Sequence, residues 1–256
     1  MSQSSERFGG IARLVSVKGL QRLRAAHVCV VGIGGVGSWT VEALARSGIG
    51  ALTLIDLDEV CVTNINRQLH ALDGTVGRAK VEVMAERVRL INPECRVTPV
   101  TEFFTEANAQ RLLAPGFDFV VDAIDAVSNK CRLLAHCWQR SLPVISCGAA
   151  GGRLDTTTVR VADLADATHD RLLAEVRRRL RQEYGFLSAG RRFGIPAVFS
   201  PEAPVLPEPP ACGAGGQGSE LPPRLNCEWG YGSATFVTGT FGFAAAGWVV
   251  RKLAAG

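Results

Sequence analysis

The chain has 256 residues, of which 47% are hydrophobic and 20% charged, with a formal net charge of +4. These are the proportions of an ordinary soluble globule, long enough for one large α/β domain or two small ones. The mild charge permits an anionic partner without demanding one. Eight cysteines (29, 61, 95, 131, 137, 147, 212 and 227) stand singly with no C-x-x-C pair, which excludes a disulfide framework or a zinc ribbon and suits a reducing cytoplasm. No apolar run follows the polar opening Met1 to Glu6, so no secretory signal is expected.

In chain order, Phe8, Ile11, Leu14, Val15, Leu20 and Leu23 recur at loosely helical spacing and predict a helical arm over 1–26, which carries Arg7 and Arg13. The stretch Val28 to Ser38 follows, an apolar strand over 27–32 that feeds a glycine turn and opens a helix over 37–48. Gly32, Gly34 and Gly37 have the G-x-G-x-x-G spacing, with Gly35 between them. The first allows a tight turn, the second lets backbone approach phosphate, and the third permits close helix packing. A strand over 51–56 then ends in Asp56, an acid suited to a ribose hydroxyl.

A polar stretch from Leu57 to Gln68 belongs at the strand's carboxyl end, where open α/β sheets line their ligand crevice. A helix over 76–91 is stopped by Asn92-Pro93 and holds Lys80 in its first turns. Strands over 95–101 and 117–122 flank a short helix near 106–113, and the second ends in Asp122-Ala123-Ile124-Asp125. A helix over 128–140 and a strand over 143–148 complete a nucleotide-binding core over 27–165. Thr156 to Val161 alternates and predicts an added antiparallel edge. The expected fold is thus α/β, a Rossmann-like, mostly parallel sheet flanked by helices, with an antiparallel extension and a C-terminal helix.

Residues 166–230 hold a basic helix, Thr168 to Tyr184, and a Pro/Gly-rich stretch, Ser200 to Pro223, expected to be a mobile loop. Between 171 and 192 there are seven arginines (171, 177, 178, 179, 181, 191, 192) against two glutamates (175, 183). Arg177, Arg178 and Arg181 are candidates to track nucleic-acid phosphates, weighed against a merely solvated face. The apolar segment over 231–256 is expected to be a core or dimer-interface helix, with membrane association as the alternative.

The polar residues beyond the ribose acid point away from hydride transfer. Asn64, Arg67, Lys80 and Asp125 each fall near a strand's carboxyl end or the start of the next helix. Cations there suit a triphosphate and a carboxylate suits Mg2+, so the set favours ATP over NAD. A dinucleotide-binding redox module is the competing class.

The combination Gly32-x-Gly-Gly-x-Gly37, Asp56-Leu57-Asp58, Asn64-x-x-Arg67-Gln68, Lys80, Ile91-Asn92-Pro93 and Asp122-Ala-Ile-Asp125 resembles the ubiquitin-activating-enzyme superfamily. Those enzymes adenylate a carboxylate with ATP and release pyrophosphate. Arg7 to Leu14, Arg67 to Leu72, Val198-Phe199-Ser200-x-Glu202 and Cys227 to Thr235 are most similar to the tRNA threonylcarbamoyladenosine dehydratase branch. The resemblance implies that Gly32, Gly34, Gly35 and Gly37 cradle phosphate, that Asp56 holds ribose, that Asn64, Arg67 and Lys80 contact the triphosphate, and that Asp58 belongs to the same cofactor site. It further implies that Asp125 helps hold Mg2+ and that Arg13 reaches the site of a second copy in a homodimer. The implied substrate is tRNA bearing threonylcarbamoyladenosine; the alternative is a ubiquitin-like sulfur carrier. No structural zinc is expected. Cys227, ahead of a helix start, is a candidate reactive thiol with a cysteine desulfurase or sulfur acceptor as its partner, weighed against a merely structural thiol.

Overall fold

The computed structural model describes residues 6–186, 191–206 and 231–256. Seven strands form one sheet: β1 (His27–Val31), β2 (Ala51–Ile55), β3 (Arg96–Val100), β4 (Phe119–Asp122), β5 (Val144–Cys147), β6 (Arg160–Asp163) and β7 (Pro196–Phe199). Their order is β3-β2-β1-β4-β5-β7-β6, parallel throughout except for the antiparallel β6–β7 pair. Strand order reverses between β1 and β4, and a crevice at the carboxyl ends follows from that reversal.

The described helices are α1 (Gly9–Ala25), α2 (Gly35–Arg46), α3 (Lys80–Ile91), α4 (Glu106–Leu112), α5 (Val127–Gln139), α6 (Arg171–Glu183) and α7 (Thr235–Ala255). Alternation along β1 decides which layer each side chain joins. Val28 and Val30 pack with Val41, Leu44, Phe241 and Val249 from α2 and α7. Cys29 and Val31 pack instead with Leu112, Leu133, Leu134, Leu173 and Val176 from α4, α5 and α6.

Three expectations shift. The helix expected from Val76 starts at Lys80, because Gly77 takes a φ of 84° and residues up to Ala79 are not helical. The edge expected over 156–161 lies at 160–163; Asp155 accepts a hydrogen bond from Thr157 N–H and turns residues 156–158 into a 3-10 turn first. Its partner β7 falls in no strand that the sequence pattern predicts. Within the stretch expected to be a mobile loop, the Glu202 carboxylate accepts hydrogen bonds from Leu154 and Asp155 N–H, at 3.1 and 3.0 Å, and Val205 N–H donates to Gly152 O. The remainder of that stretch and Cys227 lie outside the described residues.

α7 is not a membrane span: among the described residues no helix is long and apolar enough to cross a bilayer. Its small residues serve close packing on α2. A Cβ on Gly242 would lie 2.7 Å from Val36 O and 2.9 Å from Thr40 N. Arg22 of α1 donates to Ala254 O at 2.7 Å, which latches the first helix to the last.

Candidate active site

The glycine turn divides its labour among four residues. Gly32 adopts a φ of 90°, and a Cβ there would lie 2.7 Å from Ala123 O. A Cβ on Gly37 would lie 1.8 Å from Gly32 O, so this position is closed to any side chain. Gly35 makes room for Thr238 of α7, whose Cγ2 would lie 3.1 Å from its Cβ. Gly34 alone of the four faces open space, with nothing nearer than Gln68 Nε2 at 3.9 Å. No side chain caps α2, so the N–H groups of its first turn are available to an anion.

Asp56 follows β2 directly. Its Oδ2 accepts Ile33 N–H at 2.6 Å and its Oδ1 accepts Asp58 N–H at 2.8 Å. Burial pushes the carboxyl's pKa up against the pull of those two N–H groups and of Lys80. Lys80, the first residue of α3, donates from Nζ to Asp58 Oδ2 at 2.8 Å while its own N–H donates to Asp58 O at 3.0 Å. Asp58 therefore orients the buried ammonium, a role that its place in the motif does not reveal.

Asn64 is buried in a 3-10 turn (Val62–Asn64), where its Oδ1 accepts Cys61 N–H at 3.1 Å. Arg67 donates to Thr63 O at 2.8 Å and to Asn66 Oδ1 at 3.0 Å. Its carbonyl accepts from Trp39 Nε1 and Thr238 Oγ1, both at 3.1 Å. The polar loop is thus clamped between α2 and α7, with Arg67 at the crevice.

Across the crevice, Asp122 and Asp125 have separate duties. Asp125 is exposed between β4 and α5. Asp122 is fully buried with Lys130, whose Nζ lies 2.9 Å from Asp122 Oδ2 and donates to Ile124 O at 2.9 Å. Ser146 Oγ and Ile124 N–H also donate to Asp122, at 2.7 and 3.1 Å. Burial raises the Asp122 carboxyl's pKa, opposed by the ammonium and these hydrogen bonds. The pair locks the backbone that presents Asp125. Lys130 went unnoticed in the motif, yet it stands at i−3, i−4 and i−7 from buried Leu133, Leu134 and Cys137. A lysine on a helix's apolar face is the signal that finds it.

Among the described residues no cluster of three acids, histidines or cysteines is arranged to hold a metal ion. The donor set fits Mg2+ carried in on phosphate oxygens, with Asp125 as the protein's carboxylate, since Mg2+ keeps several waters and uses few protein ligands.

The remaining expected residues are more dispersed. Arg13 is exposed on α1, away from the glycine turn in sequence and element. On α6, Arg177 donates to Ala167 O at 2.8 Å and Leu164 O at 3.3 Å, and burial lowers its pKa. Arg181 lies 4.7 Å over the Phe193 ring. Arg178 is exposed and pairs with Glu175 at 2.6 Å. Of these three, Arg178 is the one presented to solvent. Five of the described cysteines are buried and Cys61 is exposed. Burial pushes Cys95 and Cys131 up to about 11 and Cys137 and Cys147 up to about 12, which keeps them protonated.

A doubly wound sheet, an uncapped helix behind a glycine turn, and an acid after β2 with a buried lysine nearby define an α/β protein of nucleotide-binding architecture. The chain belongs to the ThiF family, whose model matches residues 10–254. It is 50% identical over 252 residues to the tRNA threonylcarbamoyladenosine dehydratase of Escherichia coli K12, covering 98% of this chain and 94% of that one. Structures of the E. coli enzyme with ATP and with AMP align at TM-scores of 0.88 and 0.89 and 47% identity. Each alignment covers 99% of this chain and 96% of the other. The Salmonella typhimurium molybdopterin-synthase adenylyltransferase is 40% identical over 140 residues, 55% of each chain.

Proposed function

We infer that this chain is an ATP-dependent enzyme that cyclises threonylcarbamoyladenosine in tRNA by adenylating its carboxylate. The observation that carries this reading is the crevice itself: Asp56 is tied to the glycine turn through Ile33 N–H and lies under the influence of the buried Lys80 ammonium, beside an uncapped helix and a polar loop that carries Arg67, in a chain half identical, end to end, to a tRNA threonylcarbamoyladenosine dehydratase. A redox module needs no such collection of cations. In the reaction, the carboxylate attacks the α-phosphate of ATP and pyrophosphate leaves. A group within the same side chain then attacks the acyl-adenylate, closing a ring with release of AMP and net loss of water. AMP is a far better leaving group than hydroxide, and the intramolecular attack gains from proximity.

The roles we assign combine the resemblance with the positions described above. Asp56 binds the ribose, Gly34 and the first turn of α2 receive phosphate, Arg67 and the Asp58-oriented Lys80 neutralise the triphosphate, and Asn64 contacts it through its neutral amide. Asp125 would hold Mg2+, which would supply Lewis-acid stabilisation to the phosphoryl oxygens. Arg13, exposed on α1, completes the triphosphate site of a second copy in a homodimer. Arg178 on α6, together with the exposed Arg171, Arg191 and Arg192 of the same stretch of chain, offers the tRNA-facing charge. We assign the chain to the cytoplasm as a single adenylating unit, and Cys227 as the contact for any sulfur-transfer partner.

Mass spectrometry of nucleosides from modified tRNA incubated with enzyme and Mg-ATP tests the reading. Loss of one water from threonylcarbamoyladenosine, abolished by Lys80→Ala or Asp125→Ala in folded protein, is expected. Pyrophosphate exchange that requires a carrier protein and ignores tRNA would assign the chain to sulfur-carrier activation instead.

A further inference from the structure

His70 is absent from the motif that marks the nucleotide site, yet it holds the backbone of the glycine turn directly. Its ring is 1% exposed, and Nε2 lies 2.7 Å from Ile33 O. A carbonyl oxygen only accepts, so Nε2 carries the proton and Nδ1 is a bare acceptor; Nδ1 is buried and has no hydrogen-bond partner. Ile33 is gripped from its other side as well, because its N–H donates to Asp56 Oδ2 at 2.6 Å. The loop carrying His70 is fastened in turn: Leu69 N–H donates to Ser38 Oγ at 3.2 Å and Thr75 Oγ1 to His70 O at 2.6 Å.

Peptide planarity carries this grip one residue further. In a trans peptide the carbonyl and the following N–H point in opposite directions. With Ile33 O held towards His70, the N–H of Gly34 points from the opposite edge of that peptide, away from His70. A flipped peptide would instead turn an oxygen's partial negative charge towards the phosphates.

We propose that His70 is a positioning residue for the ATP reaction: by donating to Ile33 O it fixes the Ile33–Gly34 peptide with its N–H facing the polyphosphate. The ring performs this as a neutral donor. Burial, aided by the nearby Lys80 ammonium and opposed by the Ile33 hydrogen bond, pushes its pKa down to about 4.

The proposal rests on ATP use at this crevice, so wild-type ATP binding is the control that tests that reading separately. Calorimetric affinities for ATP and for adenosine are compared across variants, each first checked for native circular dichroism. His70→Leu is expected to weaken ATP about tenfold, the scale of one phosphate hydrogen bond, and to leave adenosine unchanged. His70→Gln, whose amide N–H reaches the place of Nε2, is expected to recover most of that loss. Equal losses for both ligands, no loss for ATP, or no recovery with Gln would overturn the proposal. Should the Leu variant fail to fold, nitrogen-15 spectra of the wild-type ring decide: an Nε2–H tautomer is expected, and an Nδ1–H tautomer overturns the proposal.

Discussion

Replacing Lys130 by Met removes the cation of a pair in which both side chains are 0% exposed. Met fills much the same volume, so the change isolates charge from packing. Asp122 is then left with Ser146 Oγ and Ile124 N–H as donors, and Ile124 O loses the ammonium at 2.9 Å. Breaking a buried pair from one side costs about 3–5 kcal/mol, because the surviving charge keeps its desolvation penalty without its partner. For a chain of this size each kcal/mol moves the melting temperature by about 2–4 °C, so a fall of about 6–20 °C is expected. Urea and thermal denaturation followed by circular dichroism measure it. Asp122→Asn placed in the Lys130→Met background removes the stranded charge and should restore most of the loss, a double-mutant cycle with strong coupling. ATP–pyrophosphate exchange should fall in the single variant because the loop presenting Asp125 is no longer tied. A Lys130→Met protein within about 1 kcal/mol of wild type, or no recovery in the double variant, would refute this account of the pair.

Four further outcomes are expected. Gly37→Ala sets a Cβ 1.8 Å from Gly32 O, so helix and strand must part; a destabilisation of about 1–3 kcal/mol together with lost ATP affinity should appear in denaturation and calorimetry. His70, with a folded pKa of about 4 against 6.5 unfolded, contributes stability that is complete above pH 6.5 and is lost as pH falls towards 4, because the unfolded chain binds the proton first. That difference amounts to about 3 kcal/mol, and the urea midpoint of wild type should drop more between pH 7 and pH 4.5 than that of His70→Gln. Arg178→Glu should weaken tRNA in a filter-binding assay while sparing ATP, whereas Arg177→Ala should lower the melting temperature through two uncapped carbonyls, at 2.8 and 3.3 Å in the native chain. Unchanged tRNA affinity in the first would return α6 to a solvated face.

The crevice was legible because local chemistry dictates it. The glycine spacing, the acid after β2 and the cations after β2 and at the start of α3 all sit within one stretch of chain, where period and turn residues speak plainly. The boundaries of β1 to β5 differ from those read in the sequence by a residue or two, whereas α3 starts four residues later than expected because the turn at Gly77 precedes it. What escaped depends on distant partners. β7 is four residues opening on Pro196, too short and too irregular to announce itself without β5 and β6 on either side. Arg177 and Arg178 are adjacent in sequence and alike in composition, yet the helix turns one onto carbonyls and the other to solvent. Asp58 and His70 act through Lys80 and Ile33, so their parts emerge only once the loop closes over the turn.

The packing of α7 on α2 has a consequence for synthesis. The ribosome makes the glycine turn early and the helix that covers it late, so until residues 235–255 emerge, Leu44, Val41 and the apolar side of β1 lack the lid formed by Phe241 and Val249. A nascent chain has the phosphate motif long before it has a dry floor beneath it. Nucleotide binding should therefore switch on in a single late step of translation rather than growing with length, and the bare face in the interval is a surface for a chaperone to shield.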